Sequence, residues 1–580
     1  MASRRVHRLD WLAFGLIFLL AAFLRLWDLS RNGIGSPYFA TTALSMALSP
    51  KLFFFGSFDP GGFVSVDKPP GGFWPPALFC ALFGFSGLSV HLPQVLAGLL
   101  TLFVLWRIAR RSHGVVAGLF TALFLATLPI AVVVDRSNMV DPWLVLYLTL
   151  AAGAALRGRW GQAGVFLGWA YNVKLLAALM LVPPLLGLWV VASRRAKPLL
   201  AFFAALILSG GLWSAITDLT PTEKRPYVGG SLNNTVSDLV LGYNGLGRVL
   251  GRGDQMAVEM KLPPLLYGGT PGPFRLFESR LADQWAWLLP LTLVGAFTLV
   301  QRRKWTTLML WGGWLLVHIV VFSGAKGTFH VHYLQALGPP VAALAGVGAA
   351  RSLRATPFLL AVGLLATALW QSVLAARGAG PAWQGSIALT LWPGVILAAT
   401  LSLLLVLTGR PTRLPGLLGA LALLGPSLLW SAVTTKSRSV SMAPFAGPQL
   451  FDPRSTLGIE EPFQPGFIQF LQKERGGAKF LVAVGSVRQA GQLILAMRQP
   501  VMTCGGFLGR DPILTPEALD GYVKRGELRF FFVDVDTQPA LGEWAMRRGR
   551  PVDPARWGGP KPGFQDSYAT LWDMRDKIAP

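Results

Sequence analysis

Of the 580 residues, 53% are hydrophobic and only 14% are charged, and the mean hydropathy is +0.50. A soluble chain carries roughly 25% charged residues, so this composition excludes an ordinary soluble globular protein and indicates a polytopic membrane protein. The net charge of +24 would suggest a nucleic-acid partner in a soluble chain, but here the basic residues gather in short loops between apolar segments, and no nucleic acid is expected.

The N-terminal stretch MASRRVHRLDWLAFGLIFLLAAFLRLW places basic residues before an apolar run and shows no small-residue cleavage site. It predicts a retained first transmembrane helix. Apolar windows of about 20 residues predict thirteen spans, near 10–28, 90–108, 114–134, 138–156, 161–172, 175–193, 198–217, 284–301, 305–324, 331–350, 356–376, 386–408 and 414–434. The expected fold class is an all-α polytopic membrane protein with about 13 transmembrane helices, followed by a small C-terminal soluble α/β domain. The division falls between 1–435, with long loops at 29–89 and 218–283, and 436–580.

Every second loop is basic. Arg4, Arg5 and Arg8 lie on one side with Arg107, Arg110, Arg111, Arg157, Arg159, Arg194, Arg195 and Lys197. Arg302, Arg303, Lys304, Arg351, Arg354, Arg410 and Arg413 fall on the same side. The positive-inside rule makes that side cytoplasmic. The expected location is the plasma or inner membrane, multi-pass, with a cytoplasmic N-terminus and an extracytoplasmic C-terminal domain. Cys80 and Cys504 are far apart and imply no disulfide framework.

The opposite side carries the long segments and the unusual polar residues. The first loop contains GSFDPGGFVSVDKPPGGFW (56–74), too broken by Gly and Pro to span a membrane yet holding Asp59, Asp67 and Lys68. Asp135, Arg136 and Asp141 follow, then Lys174, then Lys326, His330 and His332. An ionisable side chain at a span costs about 2.5–3.5 kcal/mol on insertion scales, so each is a functional candidate; snorkelling toward headgroups is the plain alternative. The second long loop, KRPYVGGSLNNTVSDLVLGYNGLGR (224–248), is rich in Gly, Asn and Tyr suited to sugar or phosphate contacts.

In the tail, KFLVAVGS (479–486) reads as a buried strand, VRQAGQLILAM (487–497) as an amphipathic helix and PVMTC (500–504) as another strand. A helix is predicted after Thr515, with Pro516 in its first turn, and LRFFFVDV (528–535) as the strand that follows. The alternation suggests a small, mostly parallel sheet. The D-x-D of Asp534 and Asp536 reads first as a strand ending in a polar turn, and GGFLG (505–509) as a loop rather than a phosphate cradle.

DRSNMVDP (135–142) resembles the R-x-N-x-x-D pattern of polyprenyl-phosphate-sugar-dependent glycosyltransferases of the GT-C class, which include protein O-mannosyltransferases and the aminoarabinose transferases of lipid A. VDKPP (66–70) is similar to the acidic-Lys-Pro signature of their first extracytoplasmic loop. YNVKLLAALMLVP (171–183) and FSGAKGTFHVHYL (322–334) resemble two further lysine segments of that class. Together with RPYVGGSLNNTV and GYNGLGR, the pattern looks closest to the bacterial YkcA/YkcB-type mannosyltransferases. One departure stands out: where those families place an Asp-Glu pair after the first span, this chain reads GIGSPYFATTALSM (33–46), with no carboxylate.

The resemblance implies inverting transfer of a mannose-like hexose or aminosugar from a polyprenyl-phosphate donor to an extracytoplasmic protein, lipid or wall glycan. It also implies a place downstream of a polyprenyl-phosphate sugar synthase. The leaving phosphate needs cations, for which Lys68, Arg136, Lys174 and Lys326 are the candidates. The acceptor needs a base, from Asp59 or Asp67, with Asp141 orienting the loop or the acceptor. Substrate contacts are expected from Tyr38, Asn138, Tyr227, Asn234, Tyr243, Asn244, His330, His332 and Tyr333. A divalent metal on His330 and His332 with Asp67 is an alternative use of those residues, but such a site needs three or four ligands. Two other classes compete: a lipid or polysaccharide transporter, against which no internal repeat is found, and a non-catalytic cell-envelope scaffold.

Overall fold

The computed structural model describes residues 2–242, 244–251, 268–355, 357–378, 413–436, 444–448, 463–507, 509, 511–534, 538–558 and 569–575, with short helical pieces within 393–408. The chain divides into two compact units. The first comprises Met1–Gly35, His91–Leu212 and Arg248–Leu457; the second comprises Ser36–Val90, Trp213–Gly247 and Gly458–Pro580.

Among the described residues seven helices are long and apolar enough to cross a membrane. They are Arg8–Asn32, Gly87–His113, Ala196–Leu219, Arg280–Gln301, Trp305–Gly324, Phe358–Gly378 and Leu417–Thr435. Val115–Ala126 and Pro129–Asp135, bent by 60° at their junction, make an eighth if taken as one span. Pro129 explains the break, because it offers no N–H to the preceding turn.

The expected count of thirteen is met only in part. The windows at 138–156, 161–172 and 175–193 become the shorter helices Asp141–Leu156, Trp160–Lys174 and Leu176–Ala192. The window at 331–350 begins as the 3-10 turn Val331–Leu337 and becomes helical at Gly338–Ala355. The window at 386–408 lies largely outside the described residues.

Within the first unit, glycines bring backbones together. A Cβ on Gly164 would strike the carbonyl oxygen of Phe202, and one on Gly168 would strike the Ser209 hydroxyl. This small-residue contact, of a kind common between membrane helices, seats Trp160–Lys174 against Ala196–Leu219. The Asn172 side chain adds a 2.8 Å bond to the carbonyl of Ser209. Lys174, the last residue of its helix, is thereby held in place.

In the second unit a five-stranded sheet has the order β2-β1-β3-β5-β4, from β1 (Ala483–Val484), β2 (Met502–Thr503), β3 (Phe530–Asp534), β4 (Arg550–Pro551) and β5 (Ala569–Asp573). β1 pairs in parallel with β2 and β3, whereas β5 is antiparallel to β3 and β4. The predicted helix at 487–497 is Val487–Met497, and that after Thr515 is Pro516–Lys524, with the Thr515 hydroxyl accepting from Ala518 N at 3.3 Å. The expected strands at 479–486 and 500–504 are shorter than their apolar runs. Phe480, Met502, Cys504, Leu519 and Phe531 fill the core between sheet and helices.

The same unit holds both long loops against this sheet domain. The Thr41 hydroxyl, on the helix Pro37–Met46, donates to the Gly491 carbonyl at 3.3 Å. The Phe63 ring lies 5.7 Å from Phe480 and 6.2 Å from Tyr522, edge-on to both. Ser65 N donates to the Tyr227 carbonyl at 2.8 Å, and Tyr227 N to the Phe63 carbonyl at 2.9 Å, so the two loops are joined by backbone bonds.

Candidate functional site

Two polar clusters stand out, one in each unit. In the second unit, Asp59 heads a tight turn. Its Oδ1 accepts from Gly61 N at 2.8 Å, and its Oδ2 accepts from Phe63 N and Val64 N at 2.8 and 2.9 Å. An aspartate before Pro-Gly-Gly is suited to this, since its short carboxylate mimics a backbone turn and Gly62, at φ +68°, supplies the left-handed step. Asp59 is fully buried, and burial pushes its carboxyl up to about 6 against the opposing pull of these backbone bonds.

Asp67 is buried too, at 1% exposure, but its partners differ. Its Oδ1 receives the Lys68 ammonium at 2.5 Å and the Tyr38 hydroxyl at 3.0 Å. The Tyr38 oxygen in turn accepts from Asp67 N at 3.0 Å. Asn244 donates its side-chain amide to the Asp67 carbonyl. The second carboxylate oxygen, Oδ2, has no hydrogen-bond partner among the described residues. Pro69 and Pro70 stiffen the chain after Lys68. The ammonium lies between 5.5 and 5.9 Å from the rings of Tyr38, Phe39 and Phe507.

Other residues of this unit brace the loops. The Asn234 Oδ1 accepts from Arg225 at 2.7 Å and from Val228 N at 2.9 Å, with Asn234 itself at φ +59°. The Tyr227 hydroxyl donates to the Ser231 carbonyl at 2.8 Å. Tyr243 lies outside the described residues.

In the first unit, Asp141 opens its helix with Pro142 behind it, where the dipole favours a carboxylate. Its Oδ1 binds the Lys174 ammonium at 2.6 Å, and Nε2 of His332 is 3.7 Å from its Oδ2. The ammonium stands 3.9 Å from the centre of the Tyr333 ring. The Tyr333 hydroxyl receives a bond from Arg248, and the rings of His330 and His332 stack at 5.2 Å. Lys326 is exposed at its side chain, while its N–H donates to the Val249 carbonyl at 3.1 Å.

Arg136 has a different setting. Its guanidinium donates to the carbonyls of Leu24, Arg25 and Trp27 at 2.8–3.2 Å and to that of Thr435 at 3.5 Å. Asn138 donates to the Ile34 carbonyl at 3.0 Å. Asp135 pairs with Arg25 at 2.7 Å and accepts from Gln335 at 2.6 Å. Sequence reasoning did not single out Arg25, Gln335, Phe507 or Asp511. Arg25 in the first apolar run was a signal of the kind used for the others.

Among the described residues no three His, Cys, Asp or Glu side chains form a group that could hold a metal ion. His330 and His332 are in the first unit and Asp67 in the second. The described residues do not make a cage for a divalent ion.

The family described as "Dolichyl-phosphate-mannose-protein mannosyltransferase" matches residues 67–214, and that described as "Putative mannosyltransferase YkcB-like, C-terminal" matches 467–547. The chain is 29% identical over 650 residues to "Putative mannosyltransferase YycA" of Bacillus subtilis (strain 168), covering 94% of each chain. It is 27% identical over 662 residues to "Putative mannosyltransferase YkcB" of the same organism, covering 93% of this chain and 92% of that one. In fold it resembles the crystal structure of ArnT from Cupriavidus metallidurans bound to undecaprenyl phosphate, with a TM-score of 0.55, 16% identity and 98% of each chain covered. The chain thus resembles the polyprenyl-phosphate-sugar glycosyltransferases of the GT-C class in sequence, and ArnT in fold.

Proposed function

We propose that this chain is a GT-C membrane glycosyltransferase that moves a mannose-like hexose or aminosugar from polyprenyl phosphate to an extracytoplasmic acceptor, with inversion at the sugar carbon. The mannosyltransferase relatives support the activity, and the undecaprenyl phosphate of the ArnT structure supports the donor class. The observation that carries the chemistry is the asymmetric carboxylate of Asp67. One oxygen is fixed by Lys68 and Tyr38, and the other has no partner among the described residues.

In this reading Asp67 Oδ2 takes the proton of the acceptor hydroxyl as that oxygen bonds to the sugar carbon. The bond from carbon to phosphate oxygen breaks on the opposite face, and its electron pair leaves on polyprenyl phosphate. Lys68 stabilises the negative charge that develops there. In the first unit Lys174, held by Asp141 and over the Tyr333 ring, and exposed Lys326 are further candidate cations for a donor phosphate. Asp59 and Arg136 act as braces, because their polar atoms already bind backbone groups.

Residues 1–435 would then form the membrane catalytic part in the plasma or inner membrane, with the N-terminus cytoplasmic and 436–580 extracytoplasmic. A polyprenyl-phosphate sugar synthase would supply the donor. The test is transfer from radiolabelled polyprenyl-phosphate-mannose by the purified full-length protein. Sugar transfer lost in Asp67→Asn and kept in folded Asp59→Asn is the expected result. Movement of the donor across vesicles without cleavage of its sugar–phosphate bond would sink the reading.

A further inference from the structure

The C-terminal sheet domain brings one loop to the Asp67–Lys68 pair. The Phe507 ring, half-buried, lies 4.9 Å from Tyr38 and 5.9 Å from the Lys68 ammonium. Four residues on, Asp511 is 6% exposed and anchored. Its Oδ2 accepts from Gly230 N at 2.7 Å, and its own N–H donates to the Gly505 carbonyl at 3.0 Å. Gly506, at φ +62°, leaves the room this carboxylate occupies, since a Cβ there would collide with it. Burial pushes the Asp511 carboxyl up to about 7 against the opposing Gly230 bond, and the charge of Asp67 adds a smaller push. Gly229 N donates to the Ser65 hydroxyl at 3.1 Å, so Asp511, bonded to Gly230, is joined to the stretch that leads into Asp67, whose Oδ2 has no partner among the described residues.

We propose that Asp511 and Phe507 form an acceptor-binding face supplied by the C-terminal domain, and that the acceptor is a glycan. A sugar presents neighbouring hydroxyls, so one can give its proton to Asp67 while another hydrogen-bonds to Asp511. A Ser or Thr side chain offers a single hydroxyl and would leave one carboxylate without a role. The Phe507 ring suits the apolar C–H face of a sugar ring. No bond is made or broken at Asp511; its function is to position the acceptor. The inference rests on the transferase reading above.

The experiment uses full-length protein in lipid nanodiscs with saturating polyprenyl-phosphate-mannose, and either a panel of methyl hexosides or a Ser/Thr peptide as acceptor. Wild type is expected to transfer to a hexoside. Asp511→Asn and Phe507→Ala should each raise the acceptor KM at least tenfold, with polyprenyl phosphate binding changed less than twofold as the check on folding. The pH dependence of acceptor KM near 7 should vanish in Asp511→Asn and return in Asp511→Glu. Unchanged KM in both variants, or transfer to the peptide alone, would overturn the proposal. A wild-type protein that binds donor and never transfers its sugar would instead overturn the transferase reading beneath it.

Discussion

Lys68 and Asp67, adjacent in the chain, form a buried ion pair with Nζ 2.5 Å from Oδ1, and the side chains are 11% and 1% exposed. Neighbouring residues rarely face each other, because successive side chains of an extended chain point apart. Here Tyr38 holds Asp67 by two hydrogen bonds, and Lys68 reaches the same carboxylate oxygen. The pair leaves one carboxylate oxygen beside a fixed cation, which is the geometry a proton acceptor needs next to a departing phosphate.

Removing Asp67 should abolish turnover and spare binding. Asp67→Asn is expected to lower kcat by about 10²–10⁴-fold, the usual contribution of a positioned base. Donor affinity should hold within a few-fold. Single-turnover transfer measured beside polyprenyl phosphate binding separates the two.

Asp59 should behave in the opposite way. Its carboxylate receives three backbone N–H groups in a site closed to water. Asp59→Ala leaves those donors without an acceptor, at about 1–3 kcal/mol for each buried group that water cannot reach. The apparent unfolding midpoint should fall by several degrees, and activity should fall only in proportion to the folded fraction. Asp59→Asn, keeping one acceptor oxygen, should be milder.

The Lys174–Asp141 pair, 11% and 3% exposed, invites a double-mutant cycle. Lys174→Met alone takes the ammonium away from a buried carboxylate and should cost about 3–5 kcal/mol. Adding Asp141→Leu should recover much of that stability. It should not recover donor affinity, because the cation remains absent. Thermal unfolding and polyprenyl phosphate titration on the four proteins report the two quantities independently.

In the sheet domain, Asp573 is paired with Arg529 at 2.7 Å. Burial alone would raise its carboxyl, but the bond and charge of Arg529 outweigh that and hold it below the usual carboxylate range. A depressed folded pKa means the stabilisation is complete above the unfolded value, about 3.9, and is lost as pH falls through the lower folded one. Acid-induced proteolytic opening of this domain should therefore begin below about pH 4. In Arg529→Ala it should begin at higher pH.

Local patterns in the sequence foretold local structure well. Val487–Met497 and the helix after Thr515 follow from apolar spacing and a cap, which involve only near neighbours. Among the described residues fewer long spans appear than the apolar windows predict, since hydropathy does not register the Pro129 break or the later start of Asp141–Leu156. Asp59 and Asp67 looked alike as charges in a loop, yet D-P-G-G is a turn signature and V-D-K-P-P is not. Asp511 was invisible for a different reason. Its partner, Gly230, comes from a remote segment, and only the packing of the tail on the second long loop brings the two together.

The most direct test of the account is sugar transfer from radiolabelled polyprenyl-phosphate-mannose by full-length wild type, Asp67→Asn and Asp59→Asn, each first shown to be folded and to bind polyprenyl phosphate. The account expects wild type and Asp59→Asn to form glycosylated product and Asp67→Asn to form none. Undiminished transfer by Asp67→Asn would contradict it.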